Sequence, residues 1–189
     1  MEAFITSTVL VALAEIGDKT QLLSFVLAAR LRRPLPIILG ILAATLANHA
    51  LAGSLGVWLA GLLPAGWLPW ITGFTFIAFG LWTLHPDSLD DEPRLHRAGA
   101  FVTTTVAFFI AEMGDKTQFA TVALGARFDQ LVLVVVGTTL GMMLANVPAV
   151  LLGEALSQRL PMRAIRIGAA MVFVLTGIFS VWGAPQPAL

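Results

Sequence analysis

Ala14-Glu15-Ile16-Gly17-Asp18-Lys19-Thr20-Gln21 reappears 97 positions later as Ala111-Glu112-Met113-Gly114-Asp115-Lys116-Thr117-Gln118, with seven of the eight residues identical. Each copy sits inside a long apolar run. Charged side chains are expensive in hydrocarbon, so an intramembrane charge reads first as a functional site. One copy in each half of the chain points to a site assembled from both halves.

The runs around these motifs define the fold class. A bilayer span needs about 20 mostly apolar residues. Six segments qualify: 3–29, 36–62, 68–84, 98–126, 131–156 and 165–183. Proline and glycine mark most of the joints, as in Arg33-Pro34-Leu35-Pro36 and Leu63-Pro64-Ala65-Gly66. The one long polar connection, residues 85–97, contains Asp87, Asp90, Asp91, Glu92, Arg94, His96 and Arg97. The expected division is therefore a three-helix repeat over 1–84, an acidic linker over 85–97 and a second three-helix repeat over 98–189.

The repeat extends past the octapeptide. Ala29-Arg30 matches Ala126-Arg127, Gly40 matches Gly137, Gly80 matches Gly177, and Leu46-Ala47-Asn48 matches Leu144-Ala145-Asn146 after a one-residue shift. Three spans per repeat force the second half to insert upside down relative to the first. Inverted repeats about an in-plane axis are a transporter architecture. The expected fold is all-α, with six transmembrane helices in two inverted repeats.

Composition agrees. The chain has 189 residues, is 58% hydrophobic and only 12% charged, with a mean hydropathy of +0.88. Soluble domains carry about 25% charged residues. A formal net charge of zero leaves no basic patch for nucleic acid. There is no cysteine, so thiolate metal sites are excluded and any metal must bind oxygen or imidazole. Only Glu2 precedes the first apolar run, where a secretory signal would carry basic residues. That run is read as a retained membrane helix.

Basic residues give the orientation. With alternating topology Arg30, Arg32, Arg33, Arg94, Arg97, Arg159, Arg163 and Arg166 share one side, and Arg127 alone marks the other. The positive-inside rule makes the eight cytoplasmic and places both termini outside. Trp67 and Trp70 flank the short outer turn, as interfacial aromatics do.

An in-plane two-fold axis would bring Glu15 and Glu112, each near the middle of its span, to one depth. On continuous helices Glu15, Asp18 and Lys19 share a face, as do Glu112, Asp115 and Lys116. Four carboxylates and two charge-balancing ammonium groups, Lys19 and Lys116, sum to −2, which one divalent cation cancels. Without it, carboxylates crowded in low dielectric take up protons. That coupling suggests exchange of a metal for protons. Gln21, Gln118, Asn48 and Asn146 are candidate neutral ligands. Thr20 and Thr117 join them if the helices open at Gly17 and Gly114. All are hard oxygen donors suited to Mn²⁺, Ca²⁺ or Mg²⁺.

Structural roles compete with these. Glu15–Lys19 and Glu112–Lys116 have the order of favourable i, i+4 ion pairs, though that leaves both aspartates without partners. Asn48 and Asn146 could be interhelical glue. His49 has no counterpart in the second half and reads as a hydrogen-bonded packing residue ahead of a proton relay. The acidic linker reads as a solvated loop, and Glu154 as interfacial. Gly137-Thr138-Thr139-Leu140-Gly141 is a close-packing pattern, and Pro148 should kink its span.

The doubled Glu-x-Gly-Asp-Lys-Thr, here Glu15, Gly17, Asp18, Lys19, Thr20 and Glu112, Gly114, Asp115, Lys116, Thr117, resembles the signature of the Golgi, thylakoid and bacterial cation-transporter family that moves Mn²⁺ and Ca²⁺. The resemblance spans essentially the whole chain. It implies cation/proton antiport with the acidic motif residues as the ion site. It further implies a bacterial inner-membrane protein of the manganese-exporter type, with manganese and protons as substrates, no cofactor, and a homodimer left open. A passive cation channel, an exporter of basic amino acids and a non-transporting assembly factor are the rival readings. No nucleophile–base pair or nucleotide motif suggests an enzyme.

Overall fold

In a computed structural model, residues 1–64, 66–85, 99–152 and 161–183 are described, and they are all-helical. Eight helices follow one another among these residues. They are α1 (Glu2–Glu15), α2 (Lys19–Leu31), α3 (Pro34–Leu62), α4 (Leu68–Thr83), α5 (Ala100–Glu112), α6 (Lys116–Phe128), α7 (Leu131–Leu152) and α8 (Met162–Trp182). The linker residues Asp87, Asp90, Asp91, Glu92, Arg94, His96 and Arg97, together with Glu154 and Arg159, lie outside the described residues.

Burial is inverted relative to a soluble domain. Glu15, Glu112, Asp18, Asp115, Asn48, His49 and Asn146 are buried. Ile5, Leu51, Phe74, Phe179 and Trp182 are exposed. Large apolar side chains outward and polar ones inward is what a lipid solvent demands. Helices α3 and α7, and residues Arg163–Trp182 of α8, are each long and apolar enough to cross a bilayer, whereas α4 and α5 are shorter apolar helices.

The apolar runs over 3–29 and 98–126 are expected to form continuous helices. The structure corrects this: each run is two helices broken at the motif. Helix α1 stops at Glu15, Ile16 turns extended (ψ 111°), and Asp18 caps α2. Helix α5 stops at Glu112, Met113 turns extended (ψ 119°), and Asp115 caps α6. Between them Gly17 takes φ 86° and Gly114 φ 76°, left-handed values that glycine adopts without a Cβ penalty. The backbone then recloses in the same way in both copies. The Asp18 N–H donates to the Glu15 carbonyl at 3.0 Å, and the Asp115 N–H to the Glu112 carbonyl at 3.1 Å.

The halves interlock. Helix α1 packs on α7, α3 on α5 and α6, and α4 on α8, so each repeat finds its main partners in the other. Glycine makes these approaches close. A Cβ at Gly137 or Gly141 would lie 2.6 Å from the Phe4 or Thr8 carbonyl oxygen of α1. One at Gly125 would lie 2.6 Å from the Gly53 carbonyl oxygen, where α6 meets α3. The Gly137–Gly141 pattern therefore does the packing that its spacing indicates. Leu10, Val11, Ile41, Phe108, Val134 and Met142 fill the core between these contacts. Pro148 lies inside α7, which runs on to Leu152.

Candidate metal centre

The two helix breaks meet. One carboxylate oxygen from each of Glu15, Glu112 and Asp115 falls within 4.8 Å of the others, and all three residues are buried. Two like unit charges at that separation repel by about 3–4 kcal/mol at an effective dielectric constant of 20. Such a cluster favours a bound cation or a bound proton over three bare carboxylates.

The lysines pair across the motifs. Lys19 Nζ lies 3.1 Å from Asp115 Oδ1, and Lys116 Nζ lies 3.0 Å from Asp18 Oδ1. The i, i+4 pairs Glu15–Lys19 and Glu112–Lys116 are not formed. The reason is the break itself. Each glutamate ends one helix and each lysine begins the next, so they no longer share a face. Each aspartate, left alone in the continuous-helix picture, instead holds the lysine of the other repeat.

Opening at the glycines also redirects the threonines. Thr20 donates to one oxygen of Glu15 and Thr117 to the other. Both equivalent hydroxyls thus converge on a single carboxylate. Neither oxygen of Glu112 accepts a hydrogen bond among the described residues, and one oxygen of Asp115 is likewise free of hydrogen bonds. The cluster therefore offers a carboxylate fixed by two hydroxyls beside carboxylate oxygens with open lone pairs.

The glutamines hold the breaks. Gln21 accepts the Gly17 N–H at 2.9 Å, and Gln118 accepts the Gly114 N–H at 2.8 Å. Their amide oxygens thus satisfy the N–H of the glycine just before each N-cap, a variant of the capping box. Gln21 also donates to the Ala145 carbonyl of α7 at 3.1 Å.

Asn146 stands beside Glu15. Its Oδ1 accepts from Ser24 Oγ at 2.7 Å, and its Nδ2 donates to the Met142 carbonyl at 3.1 Å. Asn48 donates to the Phe109 carbonyl of α5 at 3.1 Å, while its Oδ1 has no hydrogen-bond partner among the described residues. His49 is buried, and neither ring nitrogen is hydrogen-bonded among the described residues. The expected hydrogen bond of a packing histidine is thus not made.

The structure therefore gathers Glu15, Glu112, Asp115, Thr20, Thr117 and Asn146. Asp18, Lys19 and Lys116 join through the crossed ion pairs. Gln21 and Gln118 are set to hold the loops, and Asn48 bridges α3 to α5. Ser24 is a member of this site that sequence pattern does not mark. A lone serine among apolar residues carries no signal until its asparagine partner, 122 positions away, is known.

The model of the family described as "Divalent cation/proton antiporter GDT1" matches the chain twice, over residues 3–91 and 100–188. Over 179 residues the chain is 51% identical to a Vibrio cholerae protein named "Putative manganese exporter", covering 94% of this chain and 90% of that protein. It is 27% identical over 220 residues to the GDT1-like protein 5 of Arabidopsis thaliana, with 96% of each covered. It is 26% identical over 204 residues to a GDT1-like protein of Synechocystis sp., covering 96% and 98%. No solved structure matches the chain. Two matched halves, each holding one broken acidic motif, place the chain in the GDT1 family of divalent cation transporters.

Proposed function

We propose that the chain exports Mn²⁺ from the cytoplasm in exchange for protons, with Ca²⁺ as a second candidate substrate. The observation that carries this reading is the meeting of Glu15, Glu112 and Asp115 oxygens within 4.8 Å. Glu15, Asp18, Glu112 and Asp115 supply the ion site and take protons when the ion leaves. Thr20, Thr117, Asn48 and Asn146 are neutral oxygen donors to it, and Gln21 and Gln118 keep the loops open around it. The crossed ion pairs support this charge assignment. Lys19 and Lys116 offset the two aspartates, so an ionised Glu15 and Glu112 hold a surplus of −2 that one divalent ion balances. The 51% identical relative is named for manganese, and oxygen-only sites suit that ion.

The proposed architecture has six spans, two of them formed by α1–α2 and α5–α6, in inverted repeats over 1–84 and 98–189 with the linker 85–97 between. It lies in a bacterial inner membrane with both termini outside. Alternating access proceeds by the repeats rocking about the midplane site. Because each repeat packs on the other, this movement is shear along helix contacts, and backbone-to-glycine surfaces suit shear.

Purified protein in proteoliposomes containing a manganese-sensing dye tests the reading. An imposed pH gradient should drive Mn²⁺ uptake, and collapsing the gradient should stop it. Asp18→Asn and Asp115→Asn should each abolish flux. Flux indifferent to the gradient would indicate a channel, and normal flux in either variant would remove the site.

A further inference from the structure

The turn between α2 and α3 carries two arginines that the ion site does not employ. Helix α3 begins at Pro34 and α7 is described as far as Leu152, and both are long enough to span a bilayer. The start of α3 and the last described turn of α7 lie together at one end of these two spans. There Ala28, Arg32, Arg33, Pro34, Val150 and Leu151 line a cavity of about 220 Å³. Arg32 and Arg33 are exposed, and neither forms an ion pair among the described residues.

The backbone at Arg32 says more. Arg32 caps α2 in the left-handed region, at φ 51° and ψ 33°. The equivalent turn after α6 carries Asp129 at φ 48° and ψ 30°. Both cap through one N–H bond of 3.1 Å, to the Ala28 carbonyl in one turn and the Gly125 carbonyl in the other. Aspartate and asparagine tolerate this conformation, whereas a long side chain is strained in it. The fold thus makes the same turn more easily without arginine. A strained residue standing beside a cavity points to a function for its side chain.

We propose that Arg32 and Arg33 bind the phosphodiester of an anionic diacyl phospholipid. The two guanidiniums suit phosphate oxygens, which they can grip with paired N–H donors. Pro34, Val150 and Leu151 give the adjoining glycerol and acyl chains an apolar wall. Basic pockets between helices at a membrane face take such headgroups. A lipid so held ties the α2–α3 turn to the end of α7, and it would bind whether or not the chain moves manganese.

Thermal melting of the full chain in detergent tests this, with dioleoylphosphatidylglycerol, dioleoylphosphatidylcholine and inorganic phosphate as probes. Phosphatidylglycerol at a hundred-fold excess over its Kd should raise the midpoint by about 5 °C or more. Phosphatidylcholine and inorganic phosphate should leave it unchanged. In the double variant Arg32→Asn with Arg33→Gln the rise should vanish. The lipid-free midpoint of that variant should hold or increase, because asparagine fits the left-handed turn. The double variant Arg163→Gln with Arg166→Gln loses the same charge elsewhere and should keep the rise. Three results would each overturn the assignment: a full rise without Arg32 and Arg33, an equal loss without Arg163 and Arg166, or an equal rise with inorganic phosphate.

Discussion

Asp18 and Asp115 each neutralise a lysine from the opposite motif, yet the two pairs are not equivalent. The Lys116 side chain is 7% exposed, whereas that of Lys19 is 27% exposed. Removing one partner of a buried pair strands the other charge, at about 3–5 kcal/mol. Lys19 can recover water, and Asp115 also sits against two other carboxylates whose repulsion its loss relieves. Asp18→Asn should therefore lower the stability of metal-free protein by about 3 kcal/mol, near the lower end of that range. Asp115→Asn should cost about 1 kcal/mol, nearer an exposed pair. Equal losses on denaturant titration would contradict the crossed pairing. A second contrast concerns Thr117. Its hydroxyl reaches Glu15 from the other repeat, and a hydrogen bond to a charged group contributes about 1.5–3 kcal/mol. Thr117→Val should reduce Mn²⁺ flux about tenfold or more, while Thr117→Ser should retain most of it. Flux unaffected by the valine would remove the threonine from the site.

At the scale of helices, glycine decides how near they approach. A Cβ at Gly56 would lie 2.1 Å from the Val122 carbonyl oxygen, while one at Gly61 on the same helix meets nothing within 4 Å. Gly56→Ala and Gly125→Ala should lower the melting midpoint strongly or prevent folding. Gly61→Ala should hold it or raise stability by up to about 1 kcal/mol, because alanine is the better helix former. Similar effects at Gly56 and Gly61 would mean that α3 and α6 do not pack this way. The breaks in α1–α2 and α5–α6 explain what could and could not be read in one dimension. The doubled motif, the apolar runs and the small-residue spacing at Gly137 and Gly141 all lie in local order, so the helical fold and the meeting of two acidic patches were legible. The breaks themselves are not legible in the sequence, because a single glycine within a long apolar run is compatible with an unbroken helix. Once the backbone turns at Gly17 and Gly114, every inference based on a shared helical face changes. Glu15 no longer faces Lys19, and Thr20 swings towards Glu15. Gln21 turns back to its own loop. The trans pairings Lys19–Asp115 and Ser24–Asn146 depend on three-dimensional neighbours for which sequence spacing holds no signal.

For the molecule as a whole, the absence of cysteine makes orientation directly measurable. A single cysteine introduced at Leu35, which is exposed at the arginine-rich turn, should be shielded from a membrane-impermeant maleimide added to intact bacterial cells. One introduced at Gln130, at the equivalent turn of the second repeat, should react. The opposite pattern would invert the proposed direction of the chain. The interlocking of α1 with α7, α3 with α5 and α6, and α4 with α8 means that the two repeats enclose a common centre. In the proposed mechanism Glu15 and Glu112 serve one ion together. Equilibrium Mn²⁺ binding to the purified full chain, counted by electron paramagnetic resonance of free manganese, tests it most directly. One tightly bound ion per chain is expected, lost in Glu15→Gln and lost equally in Glu112→Gln. Two ions per chain, with one surviving in each variant, would mean two separate sites and would contradict it.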